Sequence, residues 1–263
     1  MVKDTQTGRW GLSVSLKVAI PKLAATIRSP LLLAAIAVLM AACQHGPLKS
    51  NKEIVTPKGP VRILVMPADV TLYEMTTGGL SEPQAAWTKR GKVNVDRALK
   101  KVMADNKSKA VFYREPNPDD PNATRQIQVI ALQDAVARTI LQANYSRRNL
   151  GLKEELDYSL GKHAQALVPR GGADYAVFVT LKDSFSSAGR QAAKFMAALI
   201  GVRMQNAIQA GLASLVDLRT GEVIWFNVYA KGIGDLREPS GAIDAVKTLL
   251  AEFPLWPNTQ DEF

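Results

Sequence analysis

The sequence contains a single cysteine, Cys43, and two histidines, His45 and His163, in 263 residues. One cysteine cannot form an intrachain disulfide, and so few sulfur and imidazole groups cannot supply a zinc site made of Cys and His ligands. The Gly-x-Ser-x-Gly turn that presents a serine nucleophile is absent, and no segment completes a glycine-rich phosphate loop. The sequence therefore predicts no metal site, no cofactor and no catalytic residues.

Acidic side chains are fewer than basic ones, 24 against 33, which gives a formal net charge of +9. Part of this excess lies in residues 1–42, where five basic side chains accompany one acidic side chain. The remaining residues carry a net charge of +5 and contain no basic tract interleaved with aromatic side chains. The adjacent Arg147 and Arg148 are interpreted as a solvated helix end. Nucleic acid is therefore not an expected partner.

Residues 31–42 form an uninterrupted apolar run of twelve residues between a basic flank and Cys43. A helix that spans a bilayer needs about 20 apolar residues. The apolar region of a signal peptide needs only about 7 to 15, preceded by positive charges such as Lys17, Lys22 and Arg28. A buried core helix is the competing interpretation, but such a helix seldom lacks a polar face. The run therefore predicts an export signal over residues 1–42.

Directly at the end of this run, Met40-Ala41-Ala42-Cys43 resembles the lipobox of bacterial lipoproteins. The resemblance implies that the Cys43 sulfur carries a lipid and that Cys43 becomes the mature amino terminus. Cleavage by the ordinary signal peptidase is the alternative, and Met40 stands where the family usually has Leu. In enterobacterial lipoproteins an Asp after the cysteine retains the protein in the inner membrane. Gln44 therefore implies a lipid anchor in the outer membrane, with the domain facing the periplasm.

Residues 43–60 comprise this cysteine and a polar stretch rich in proline and glycine. Such a composition buries too little apolar surface to fold, so we expect a flexible tether. Residues 61–263 are predicted to form one periplasmic domain, because short β-branched runs alternate there with longer segments of helical periodicity.

The elements of this domain follow from that periodicity and from turn signals. Strands are predicted at 61–66, 70–75, 109–114, 173–181, 207–217 and 222–229. Helices are predicted at 81–106, 124–145, 153–167, 190–202 and 240–253. Ser81 is the predicted cap of the first helix, with Pro83 in its first turn, and Ser240 is the predicted cap of the last. Interleaved strands and helices predict a single α/β sandwich domain with a mixed sheet and a C-terminal β-hairpin followed by a helix.

The turn of that hairpin contains the clearest local signal in the sequence. Gly221 is expected to adopt a positive φ, and the Asp217 carboxylate is expected to accept hydrogen bonds from the turn amides. Asp217 and Gly221 are therefore predicted to be structural turn residues rather than part of an active site.

Three segments, 61–67, 173–179 and 217–225, together resemble a broad group of periplasmic lipoproteins. The group includes the curli-secretion lipoprotein and outer-membrane activators of penicillin-binding proteins, and its fold is similar to the amino-terminal domain of the Tol system's translocation protein. The resemblance implies a non-enzymatic envelope accessory protein that contacts other envelope proteins and can form homo-oligomers. The membrane-spanning hairpins of the curli pore have no evident counterpart here, and a subunit of an oligomeric secretion complex stays an alternative.

Two further hypotheses concern the surface of the domain. Thr76, Thr77 and Leu80, in the composition-biased segment 72–87, are the predicted partner-contact residues, with an ordinary loop as the alternative. Paired carboxylates about 5 to 9.5 Å apart could instead hydrolyse a glycosidic bond in peptidoglycan. The acids that could form such a pair, or could be ordinary turn and strand-end residues, are Asp69, Glu74, Asp119, Asp120 and Asp183.

Overall fold

A computed structural model describes residues 47–50, 54, 60–106, 109–117, 119–145, 156–199, 207–232 and 234–255. Gly46–Phe263 form one compact unit. The predicted signal peptide, the lipidation site Cys43 and Gln44 lie outside the described residues, so these predictions are not addressed by the structure.

The described residues form eight strands, four α-helices and one 3-10 helix. The strands are β1 (Leu48–Lys49), β2 (Arg62–Val65), β3 (Asp69–Met75), β4 (Ser81–Pro83), β5 (Lys109–Phe112), β6 (Tyr175–Ser186), β7 (Gln209–Asp217) and β8 (Val223–Lys231). The α-helices are α1 (Ala85–Asp105), α2 (Ala123–Tyr145), α3 (Ala188–Leu199) and α4 (Pro239–Leu249), and the 3-10 helix is Gly161–Leu167.

The long strand β6 organises a single mixed sheet with the order β1-β8-β7-β6-β2-β5. One edge of β6 pairs with antiparallel β7 over its whole length up to Asp183. The other edge pairs with two parallel strands in succession, β2 beside Tyr175 and β3 beside Thr180 to Ser186. Strand β4 folds back on β3. The prediction of a mixed α/β sheet is confirmed.

Both faces of this sheet are covered, and each has its own apolar core. Helices α1 and α4 cover one face, where Leu72, Leu99 and Val246 are buried. Helix α2 and the 3-10 helix cover the other face. Because neighbouring residues of a strand point to opposite faces, Trp225 and Phe226 of β8 enter different cores, and both are fully buried.

The predicted helix start at Ser81 is wrong. Ser81–Pro83 form the edge strand β4, with Tyr73 of β3 opposite Pro83, and α1 begins only at Ala85 after Gln84. Pro83 fits an edge strand because its missing N–H does not interrupt a ladder there. Pairing with β3 outweighs the local helix-start signal.

The predicted tether also includes residues that belong to the sheet. Leu48 and Lys49 pair with Phe226 and Trp225 of β8, and Leu48 packs against the core beneath α2. The apolar side chain of Leu48, in a mostly polar segment, is enough to add a short strand to the open edge of β8. Leu48 and Lys49 are therefore not part of a flexible tether.

Other helix ends differ from prediction by a few residues. Helix α4 begins at Pro239, with Glu238 rather than Ser240 in the N-cap position, because the fixed φ of proline suits the first helical residue. It ends at Leu249 rather than at residue 253. Within the predicted helix 153–167, the described part forms only the 3-10 helix, preceded by an isolated bridge between Ser159 and Glu222.

Candidate contact surface

The predicted contact residues lie on a tight turn between β3 and β4, at the end of the sheet where β6 ends and β7 begins. The Thr76 N–H donates to the Leu80 carbonyl at 2.9 Å, and Gly79 closes the turn with a φ of 87°. Thr76 is half-buried, whereas Thr77 and Leu80 are exposed. The structure brings all three residues together on one surface loop.

Helix α3 packs against this turn. Ser187 caps the helix, since its hydroxyl accepts a hydrogen bond from the Arg190 N–H at 3.1 Å. The Arg190 side chain is 4% exposed and donates from Nη1 to the Thr76 carbonyl at 3.3 Å. A Cβ at Gly189 would stand 2.8 Å from Thr77 Oγ1, so glycine allows the close approach. The turn and the first turn of α3 form one surface.

We define the α3 end of the domain as the β3–β4 turn, helix α3 and residues 207–209. Four large apolar side chains are exposed there: Leu80 at 69%, Met196 at 61%, Leu199 at 66% and Ile208 at 44%. Single exposed apolar residues are ordinary, but several at one end of a domain suggest a contact surface. The turn was predicted from sequence composition, whereas α3 was interpreted as a packed helix and its exposed residues were missed.

A buried polar network lies beneath the α3 end. Asp183 of β6 is 1% exposed, and its Oδ2 accepts hydrogen bonds from Gln209 Nε2 at 2.8 Å and from the Leu236 N–H at 3.0 Å. Burial raises the pKa of this carboxyl above its ordinary value, against the effect of these hydrogen bonds. Gln209 Oε1 in turn accepts a hydrogen bond from the Tyr229 hydroxyl at 2.9 Å. The network fixes the start of the loop that leads to α4.

The same loop presents Arg237 to two aromatic rings. The guanidinium carbon lies 3.6 Å from the ring centre of Phe185 and 4.9 Å from that of Trp87. The Arg237 side chain also donates two hydrogen bonds to the Asp235 carboxylate, at 2.9 and 2.7 Å. These hydrogen bonds hold the pKa of Asp235 below its ordinary value. These contacts engage the cation and the rings within the protein, so the cluster is a structural support of the α3 end.

A groove of about 1020 Å³ lies elsewhere, between α2 and the 3-10 helix. Among the described residues, its lining includes Arg125, Lys162, Arg170, the exposed His163 and one carboxylate, Asp120. Asp120 Oδ1 accepts a hydrogen bond from the Asn122 N–H at 2.8 Å, as expected of a loop residue before a helix.

Three of the carboxylates considered for hydrolysis, Asp120, Asp183 and Glu74, lie on different parts of the fold. Asp120 belongs to the groove on the α2 face, whereas Asp183 is buried in the network near α1 and α4. Glu74 accepts a hydrogen bond from Gln84 Nε2 at 3.1 Å beside α1. The acid whose charge contributes to raising the pKa of Asp183 is Asp235, which was not among the candidates.

At the opposite end of the sheet, Asp217 and Gly221 shape the β7–β8 turn. Asp217 Oδ1 accepts hydrogen bonds from the N–H groups of Arg219 at 2.7 Å and Thr220 at 3.2 Å. Gly221 has a φ of 83°, and its carbonyl accepts a hydrogen bond from the Leu160 N–H at 2.7 Å. The turn is therefore joined to the start of the 3-10 helix.

Every helix in the described ranges is too short or too polar for a bilayer-spanning segment. Within the same ranges, no three His, Cys, Asp or Glu side chains come together as a metal-ligand set.

No protein-family model matches this sequence, and no curated protein matches it. Among solved structures, it is similar to lipoprotein GNA1162 from Neisseria meningitidis, with 13% identity, 73% of this chain and 96% of that chain covered, and a TM-score of 0.31. It is also similar to the LpoB C-terminal domain from Salmonella enterica, with 14% identity, 75% and 93% coverage, and a TM-score of 0.24. The hypothetical protein CT253 from Chlamydia trachomatis matches with 10% identity, 75% and 98% coverage, and a TM-score of 0.33. At TM-scores below 0.5 these likenesses carry no argument about function.

Proposed function

We propose that this chain is a lipid-anchored envelope protein that acts by contact with other envelope components and not by catalysis. Cys43 holds it in the outer membrane, and the α/β domain faces the periplasm. The anchor rests on the lipobox-like sequence that ends the apolar run. The observation that carries the contact function is the group of four exposed apolar side chains at the α3 end.

The arrangement of polar groups supports binding over catalysis. Asp120, which lines the groove, serves as a loop acceptor, and Asp183 is bonded within the core. We assign the contact role to Thr76, Thr77 and Leu80 on the β3–β4 turn together with the exposed residues of α3. Other envelope proteins are the expected class of protein partner, and a second copy of the chain is a further possible one.

Replacing Cys43 by serine should abolish incorporation of labelled palmitate in cells and leave the precursor unprocessed, because the hydroxyl cannot form the thioether. In a gel the protein should migrate more slowly, as expected for the added mass of the retained signal peptide. His45→Ser, two residues away, is the matched control and should retain the label. Label retained in Cys43→Ser would refute lipidation at this residue.

A purified chain of residues 44–263 should release no muropeptides from peptidoglycan, even at high protein concentration. This result is expected because the described residues that line the groove supply one carboxylate, and glycoside hydrolysis by the usual route requires two. Release that disappears in Asp120→Asn or Asp183→Asn, with both variants folded, would instead support the hydrolase hypothesis.

A further inference from the structure

Helix α3 exposes an apolar stripe that no described part of the chain covers. Ala192, Met196 and Leu199 are all exposed, and their spacing of four and three residues places them on one face of the helix. Lys194 lies on the opposite face of the helix and is half-buried. A helix with an apolar stripe on one face and a cation on the other is suited to lie in the plane of a membrane interface.

The sequence around this helix has an excess of basic residues. From 184 to 216 the sequence contains Arg190, Lys194 and Arg203 but no Asp or Glu. Lys182 is also exposed nearby on β6, and Glu82 of β4 is the exposed acid of the neighbouring turn. Because Arg190 is buried, Lys182 and the half-buried Lys194 are the described residues whose positive charge can attract anionic lipid headgroups. A symmetric contact between two copies would instead bring like charges together.

The direction of β1 points the amino terminus toward the same end. Because β1 is antiparallel to β8 with Leu48 opposite Phe226, the chain before Leu48 leaves β1 toward Lys231, which pairs with Gln209 at the α3 end. Cys43 precedes Leu48 by five residues, which span at most about 17 Å. This argument rests on the proposed lipidation of Cys43. A lipid there would hold the α3 end close to the bilayer.

We propose that the α3 end docks on an anionic lipid surface, with Ala192, Met196 and Leu199 at the boundary between headgroups and acyl chains. Leu80 on the neighbouring turn then lies at the rim of the lipid contact. This assignment deepens the proposed function, because it names the envelope component that α3 contacts.

The test uses the unlipidated chain of residues 44–263, which retains both cores, so that vesicle binding does not depend on Cys43. It should sediment with vesicles that contain phosphatidylglycerol and much less with vesicles of phosphatidylcholine alone, and added salt should weaken the binding. Met196→Ser with Leu199→Ser should lower the partition coefficient on anionic vesicles about tenfold or more, since two apolar side chains leave the interface.

Two control variants distinguish this surface from others. Ile127→Ser with Leu132→Ser removes two exposed apolar residues from α2 and should leave vesicle binding unchanged. Lys89→Gln with Lys92→Gln reduces the charge on the exposed face of α1, which has six basic and two acidic residues, and should weaken binding less than the α3 variant does. Circular dichroism checks that each variant is folded.

Several results would overturn the proposal. These are the absence of wild-type binding to anionic vesicles, a loss in the α2 variant equal to that in the α3 variant, or a larger loss in the α1 variant. Concentration-dependent dimerisation that needs Met196 and Leu199, without vesicle binding, would identify a second copy as the occupant. Because the chain lacks Cys43, such results would leave the palmitate experiment unaffected.

Discussion

Replacing Gly221 by valine should lower the free energy of unfolding by roughly 3 to 5 kcal/mol, through two effects that act at the same atom. Gly221 has a φ of 83°, a region that a β-branched residue adopts only with strain. A Cβ there would also stand 2.6 Å from the backbone N of Gly161 and closer still to the Gly161 carbonyl oxygen. Backbone atoms cannot move aside as a flexible side chain can, so either the turn or the start of the 3-10 helix must shift.

Chemical denaturation of residues 44–263 measures this effect as a lower midpoint with little change in slope. Gly161→Ala is a matched control, because Gly161 has a φ of 61° but an added Cβ meets no atom within 4 Å, so that only the backbone strain is tested. Gly78→Ala tests neither effect and should leave the midpoint almost unchanged. An unchanged midpoint in Gly221→Val would contradict the turn geometry.

Local sequence patterns predicted most of the elements that form the sheet and its helices. The run from Tyr175 onward is apolar and β-branched because β6 is covered on both faces, and it is recognisable without any knowledge of its partners. The β7–β8 turn was also recognisable from local sequence alone, because a carboxylate acceptor and a glycine occur within five residues. The fold class then followed from the order of strands and helices.

Pairings between distant segments explain the errors. Ser81-Glu82-Pro83 has the composition of a helix start, but β3 offers it an edge to pair with, and the pairing determines the structure. Leu48 and Lys49 lie in a polar segment, and only the open edge of β8 makes them a strand. The residues that pair with these two edges do not indicate, from their own sequence, that the edges are available.

The contact surface was predictable only in part. The β3–β4 turn has an unusual composition, and the spacing of Ala192, Met196 and Leu199 already contains the exposed stripe, although a packed helix shows the same spacing. Which side of α3 is covered depends on the tertiary structure. The cluster beneath it joins Trp87, Asp183 and Arg237 from three distant segments, so no local pattern indicates it.

The second large effect is expected from Asp183→Leu, which should remove the acceptor that holds the loop before α4. The Leu236 N–H and Gln209 Nε2 would then lack their buried acceptor, and each unsatisfied group costs about 1 to 3 kcal/mol. Asn94 Nδ2 still donates to the Leu236 and Arg237 carbonyls at 3.1 and 2.8 Å, so the loop stays partly fixed. We expect a loss of about 2 to 4 kcal/mol near pH 4.

This loss should become smaller as the pH rises. Burial raises the folded-state pKa of Asp183 above its ordinary value. Below the ordinary pKa the carboxyl is neutral in both the folded and the unfolded state. As the pH rises, the carboxyl ionises first in the unfolded chain. The stability of the wild type therefore falls relative to that of the variant until the pH passes the folded-state pKa. Denaturation midpoints of both proteins from pH 4 to 7 measure the difference. Asp183→Asn keeps an acceptor oxygen and should be less destabilised near pH 4 than Asp183→Leu, and exposed Asp244→Asn should match the wild type. A loss in Asp183→Leu that stays constant or grows with pH would contradict a raised pKa at this buried carboxyl.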